Sequence, residues 1–196
     1  QNPTIPGYLG AWTDVAFGDA EPAVSAGSLT YGGANYTAGA GSKVGKTADP
    51  VGINGGNCGR VERLLESALA VTDTTTGTIY LSWLFQTGNE NAAPNANTYQ
   101  TLALWNGTGG NDGLRDFEAG IAAGDFGTAN YAFRVDNNTS ANLNVAPDAN
   151  THLLVAKFVL SDVAASDSVT VWIDPVLGAG EPAGGVTVSG RNIAFD

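Results

Sequence analysis

Residues 152–175, "HLLVAKFVLSDVAASDSVTVWIDP", hold two strand-length segments, one largely apolar and one alternating apolar with polar residues, separated by the polar stretch "SDVAASD". Successive side chains of a strand point to opposite faces, so two such segments around a polar turn predict an antiparallel hairpin with one face buried. The same reading applies to "TIYLSWLFQT", which sets Ile79, Leu81, Trp83 and Phe85 on one face and Tyr80, Ser82, Leu84 and Gln86 on the other. Both faces are largely apolar, which predicts a strand in the middle of a sheet. After a Gly/Asn/Pro loop over 88–97 come "YQTLALWNG", "DFEAGIAAG", "YAFRVDN", then the hairpin, and finally "GVTVSG". This rhythm of strand and turn is that of an antiparallel sandwich or barrel, and it leaves no room for βα alternation.

The first 60 residues are less regular, with candidate strands in "YLGAWTDVAF" and "GSLTYGG". In "RVERLLESALA" (60–70), Val61, Leu64, Leu65, Ala68 and Leu69 recur at helical spacing, although a strand followed by a turn fits the same residues. Neither an internal repeat nor a long linker divides the chain. It is therefore expected to form one domain over 1–196, with 1–7 ("QNPTIPG") as an extended arm. An apolar share of 43% is ample for a core, and 27 glycines point to many turns and few long helices.

The net charge is -11, from 8 basic and 19 acidic residues. Such a surface repels nucleic acid and anionic membranes, so neither is an expected partner. No apolar run reaches the roughly 18 residues of a membrane-spanning helix. A start at Gln1, few lysines and much Asn, Thr and Gly are read as a mature secreted chain. Cys58, the single cysteine, has no partner within the chain for a disulfide and sits in the loop-like "GGNCGR".

"GTIYLSWLFQTG", "YQTLALWNG", "THLLVAK" and "VTVWIDP" together resemble the concanavalin A-like, laminin G-like jelly rolls of secreted and surface bacterial proteins, many of which carry a PEP-CTERM sorting tail. The matching segments are 78–85, 102–107, 151–157 and 169–175, and in order and spacing the likeness covers roughly 55–196. Two departures stand out: no sorting tail follows, and the chain stops at "RNIAFD", where such domains continue into a last strand. The resemblance implies an all-β, antiparallel two-sheet jelly-roll sandwich with at most one short helix, its sheets about 10 Å apart. Trp83, Phe85, Leu102, Leu104, Phe133, Val155, Phe158, Val171 and Ile173 are the expected core.

Several chemistries can be weighed on single residues. His152 is the only histidine, has no Ser nucleophile nearby and no GxSxG elbow to serve, and is read as a strand-end residue satisfying backbone groups. One His and one Cys cannot close a zinc site. Asp116 and Glu118, two apart in "DGLRDFEAG", mimic the carboxylate pair of jelly-roll glycosidases but lack the "ExDxxE" pattern, so no catalytic residue is expected. Laminin G-like domains often hold Ca²⁺ at the rim, and Asn111, Asp112 and Asp116 in "GGNDGLRD" are the candidate ligands, an ordinary Asx turn being the competing account. Tyr99, Trp105, Asn106 and Trp172 are candidate sugar-binding residues, since aromatic faces stack on pyranose rings and amides bond hydroxyls. Asn35, Asn106, Asn137 and Asn138 lie in N-x-S/T sequons and are candidate glycosylation sites. The expectation is a secreted, non-catalytic protein adhering to extracellular glycans; the rival is a subunit that assembles with copies of itself into a filament or surface layer, and a glycosidase comes third.

Overall fold

The computed structural model describes residues 8–14, 23–26, 30–32, 34–35, 43–46, 61–65, 69–86, 99–106, 115–137, 139–176, 178 and 180–195. Six strands come first: β1 (Tyr8–Asp14), β2 (Ala23–Ala26), β3 (Thr30–Tyr31), β4 (Ala34–Asn35), β5 (Lys43–Lys46) and β6 (Val61–Leu65). They pair antiparallel as β1 with β6, β2 with β5 and β3 with β4. Of the segment 60–70 with helical spacing, Val61–Leu65 is strand β6, paired with β1, while residues 60 and 66–68 lie outside the described residues. Cys58 lies outside the described residues.

Two four-stranded antiparallel sheets follow, built from β7 (Gly77–Gln86), β8 (Tyr99–Trp105), β9 (Arg115–Ala122), β10 (Ala132–Val135), β11 (Thr139–Asn142), β12 (Thr151–Leu160), β13 (Asp167–Ile173) and β14 (Val186–Arg191). One sheet has the order β11-β10-β9-β8 and the other β14-β13-β12-β7. A single helical turn, α1 (Ala123–Phe126), follows β9. The hairpin read from residues 152–175 is present as β12 and β13, in register from Leu154↔Ile173 to Val159↔Ser168.

Period-two alternation sets the layers. Phe117, Ala119 and Ile121 of β9 and Phe133 and Val135 of β10 face Leu154, Ala156, Phe158 and Leu160 of β12 and Val169 and Val171 of β13 in one shared, buried core. The Phe117 and Phe158 rings meet edge to face at 5.1 Å between centroids, a favoured geometry for aromatic pairs. The chain is therefore an all-β sandwich of two antiparallel sheets. Of the expected core, Phe133, Phe158 and Val171 are buried, Trp83, Phe85, Leu104 and Ile173 pack half-buried against it, and Leu102 is half-buried. Val155 belongs elsewhere: with Leu154, Ala156 and Phe158 all inward, alternation turns Val155 to the outer face.

A second correction concerns β7. Its two apolar faces suggested a mid-sheet position, yet among the described residues it is an edge strand paired only with β12, from Thr151↔Gln86 to Leu160↔Gly77. In sheet β11-β10-β9-β8, Gly120 adopts φ +146, and a Cβ there would stand 2.3 Å from the carbonyl oxygen of Gln100; only glycine allows β8 and β9 to approach so closely.

The base of the sandwich is tied by Asp167, whose carboxylate is buried. Its Oδ1 accepts the N–H of Ser161 at 2.8 Å, closing the hairpin loop, and its Oδ2 accepts the N–H of Ile193 at 2.8 Å, holding the C-terminal segment across the core. That segment continues to Phe195, which exchanges two backbone hydrogen bonds with Val71 and packs on Phe158. Charge-assisted bonds of this kind contribute about 1.5–3 kcal/mol, and their loss here also strands buried N–H groups. We expect Asp167→Ala to lower unfolding free energy in urea by about 3 kcal/mol and Asp167→Asn, which keeps one carbonyl acceptor, by clearly less. A loss under 1 kcal/mol for the alanine variant would show that the tie is dispensable.

Candidate functional site

His152 opens β12 on the inward face and is buried, at 6% exposure. Its Nδ1 lies 2.6 Å from Asp174 Oδ2, its Nε2 lies 3.0 Å from Asp148 Oδ1, and its ring meets that of Tyr131 at 5.0 Å. Carboxylates only accept, so both contacts are hydrogen bonds when both ring nitrogens carry protons. Asp174 also accepts the backbone N–H of Leu153 at 3.0 Å through Oδ1, while its own N–H donates to the Leu153 carbonyl oxygen at 2.8 Å. The histidine thus bonds carboxylate side chains rather than backbone groups, and it clips the mouth of the hairpin. Asp148 is held below the usual carboxylate range chiefly by the Asn150 backbone N–H, then by the Asn150 amide, with His152 adding to the effect. Tyr31 on β3 reaches the same carboxylate of Asp174; burial first, and then that charge and hydrogen bond, raise its phenol above the ordinary value.

On the outer face of sheet β11-β10-β9-β8, Glu118 is 1% exposed. It accepts from Arg134 Nη2 at 2.8 Å and from Thr101 Oγ1 at 2.8 Å. Arg134 lies over the Phe126 ring of α1, 5.9 Å from its centroid. The carboxylate that alternation puts on this outer face is thus committed to a buried ion pair. Asp116, two residues earlier, instead accepts the backbone N–H of Ala194 at 3.2 Å at the base of the sandwich. Burial pushes Asp116 up from 3.8 to about 6, and the charges of Asp136 and Asp73 add to the rise, while the Ala194 bond works against it.

The sugar-binding candidates fall on two sheets. Tyr99 begins β8 and Trp105 ends it, the latter half-buried and followed by exposed Asn106. Trp172 lies on β13, on the outer face of the other sheet, and is only 5% exposed. Its indole N–H donates to the Pro182 carbonyl at 2.9 Å, and Gly185 packs so closely that a Cβ would stand 2.6 Å from the ring. Its face is thereby covered by residues 182–185. Beside it, Lys157 Nζ donates to both oxygens of Glu181 at 2.9 and 2.7 Å, and Tyr80 donates its phenol to the same carboxylate at 3.1 Å. The Glu181 bond raises the Lys157 amine, and Lys157, then Tyr80, lower the Glu181 carboxyl.

Of the candidate Ca²⁺ ligands, Asn111 and Asp112 lie outside the described residues, and Asp116 is placed as above. Among the described residues no three His, Cys, Asp or Glu side chains group closely enough to hold a metal. Asn35 ends β4, Asn106 is exposed in the bend after β8, and Asn137 is half-buried at φ 46 with its side-chain oxygen lacking a partner among the described residues; Asn138 lies outside them. No helix among the described residues is long and apolar enough to cross a membrane. Compared with known protein families, curated proteins and solved structures, the chain matches none.

Sequence reading missed the partners of His152 and the Glu118–Arg134 pair. The hairpin register carries the first: Leu154 opposite Ile173 brings His152 to the Asp174 turn. Glu118 and Arg134 stand opposite each other on neighbouring strands, a pairing that appears only once β9 and β10 are aligned.

Asp116 yields a pH dependence. Its folded value lies above its unfolded one, so between about 4 and 6 the native chain keeps a proton that the unfolded chain has released. The unfolded state binds fewer protons, so stability falls as pH rises through this window. We expect Asp116→Asn to remove that part of the fall and to be more stable than the parent at pH 7.5. Parallel stability-versus-pH curves for the two proteins would contradict this.

Proposed function

We propose that this is a secreted, non-catalytic jelly roll of the laminin G-like kind that adheres to glycans at a cell surface or in extracellular matrix. The observation that carries this reading is the end of β8, where half-buried Trp105 is followed by exposed Asn106, an aromatic surface beside an amide of the kind that binds pyranose rings. The non-catalytic part rests on the commitment of the carboxylates: Glu118 to Arg134 and Thr101, Asp167 to two backbone N–H groups, and Asp174 to His152 and Leu153. Ca²⁺ belongs to this proposal as a rim ion near Asn111, Asp112 and Asp116, following the laminin G-like resemblance. Trp172 is reassigned within it to a structural part, because its ring is buried and its N–H is used.

A glycan array probed with the full chain tests the reading. Retention on at least one glycan is expected, with Trp105→Ala weakening it at least tenfold and Trp172→Phe lowering the melting temperature while leaving retention unchanged. Absence of retention on every glycan, with and without Ca²⁺, would end it.

A second reading, a self-assembling extracellular subunit, is favoured by one observation. Among the described residues, β7 runs ten residues along a sheet edge with neither proline nor charge, the protective features that edge strands ordinarily carry. Light scattering that shows large particles at native pH supports it, and a 20 kDa species at all concentrations counts against it.

A further inference from the structure

Where β12 begins, the buried His152 ring stands between two carboxylates from different parts of the chain. Asp174, just after β13, lies 2.6 Å from Nδ1. Asp148 lies 3.0 Å from Nε2, on the connection that carries the chain from β11 of one sheet to β12 of the other. An ionised carboxylate offers lone pairs only, and the Asn150 bonds favour that form of Asp148. Both contacts together therefore need an imidazolium. A neutral ring has one N–H, and its bare nitrogen sets a lone pair against a carboxylate oxygen. The titratable groups that face the ring or its partners among the described residues are Asp148, Asp174, Tyr131, whose ring packs on the imidazole, and Tyr31 of β3, which bonds Asp174. From β7, uncharged Phe85 stands opposite His152.

We infer that His152 is a pH-sensitive clip: its second proton ties the turn at 148–150 to the mouth of the hairpin, and loss of that proton releases Asp148 while the bond to Asp174 stays made. The two carboxylates are held differently. Asp174 accepts the Leu153 N–H at 3.0 Å, returns its own N–H to the Leu153 carbonyl at 2.8 Å, and is bonded by Tyr31 as well. It is fixed to the strand that carries the histidine, and its contact with the ring is the shorter of the two. Asp148 is bonded within its own turn, taking the Asn150 N–H and side-chain amide at 2.7 Å each. Those bonds travel with the turn, and the Asp148 side chain is half-exposed, so water can take the place of the ring. The neutral ring thus keeps its Nδ1–H on Asp174 and turns a bare Nε2 toward Asp148. Histidine is the side chain whose ordinary change of charge falls between about pH 5 and 8. Release is local, because Gln86 Nε2 still donates to the Ala149 carbonyl at 3.0 Å and the Tyr131 N–H to the Val145 carbonyl at 2.8 Å. The inference is independent of the glycan reading.

Nitrogen-15 NMR of the full chain tests it, since a single histidine gives a single pair of ring-nitrogen signals. At about pH 5 both ring nitrogens should carry protons, and at about pH 9 only Nδ1 should. The backbone amide signals of Asp148 and Asn150 should shift with the same midpoint as Nε2, while the Leu153 amide, held by Asp174, stays in place. Amides at 148–150 that do not respond as Nε2 loses its proton would overturn the inference. So would loss of the Nδ1 proton in place of the Nε2 proton, or a ring neutral at both ends of the range. Asp148→Asn gives an amide that can accept from Nε2–H or donate to bare Nε2, and the Asn150 signal in that variant should no longer follow the ring. A response as large as the parent's would count against the clip, and the parent titration alone decides the matter should the variant not fold.

Discussion

The contact between Phe117 and Phe158 joins two sheets that, among the described residues, have no backbone hydrogen bonds in common. Each four-stranded sheet has its own ladder, so what chiefly holds one on the other is the apolar surface between them, with the Arg191–Thr139 hydrogen bond at one flank. Fully burying a side chain such as Phe, Leu or Val contributes about 1.5–3 kcal/mol, and Phe117, Phe133, Phe158, Leu154, Val169 and Val171 are all fully buried. The alternation of β9, β10, β12 and β13 is thus the constraint on which the rest depends. A one-residue slip of β12 would send Leu154, Ala156 and Phe158 outward and bring Lys157 into the core.

Given that core, the acidic residues find two kinds of place. Asp167 and Asp174 sit at opposite ends of β13 and accept backbone N–H groups, fixing the hairpin loop and C-terminal segment at one end and the hairpin mouth at the other. A carboxylate suits both positions because it accepts through two oxygens at once, as an amide cannot. Glu118 is different: it is buried on the outer face and compensated by Arg134. Removing either partner alone would leave a charge in a place where solvation is poor, so the pair fixes the alignment of β9 and β10 more than it adds net stability.

The sandwich was legible in the sequence because strands and turns are local. The β12–β13 hairpin, the order of strands from β7 onward and much of the core follow from period two and turn residues. Errors arose where placement depends on neighbours distant in sequence. Val155 is apolar and lies in an almost wholly apolar strand, whose parity is set by Leu154 and Phe158 packing against distant partners. β7 looks like a central strand because its outer face carries Tyr80 and Leu84, and no single-strand pattern tells how many neighbours a strand has; among the described residues it has one, β12. The site was less legible for the same reason. His152 depends on Asp174, which is 22 residues away and comes close only through the hairpin, and Trp172 appears available until the 182–185 segment folds over it.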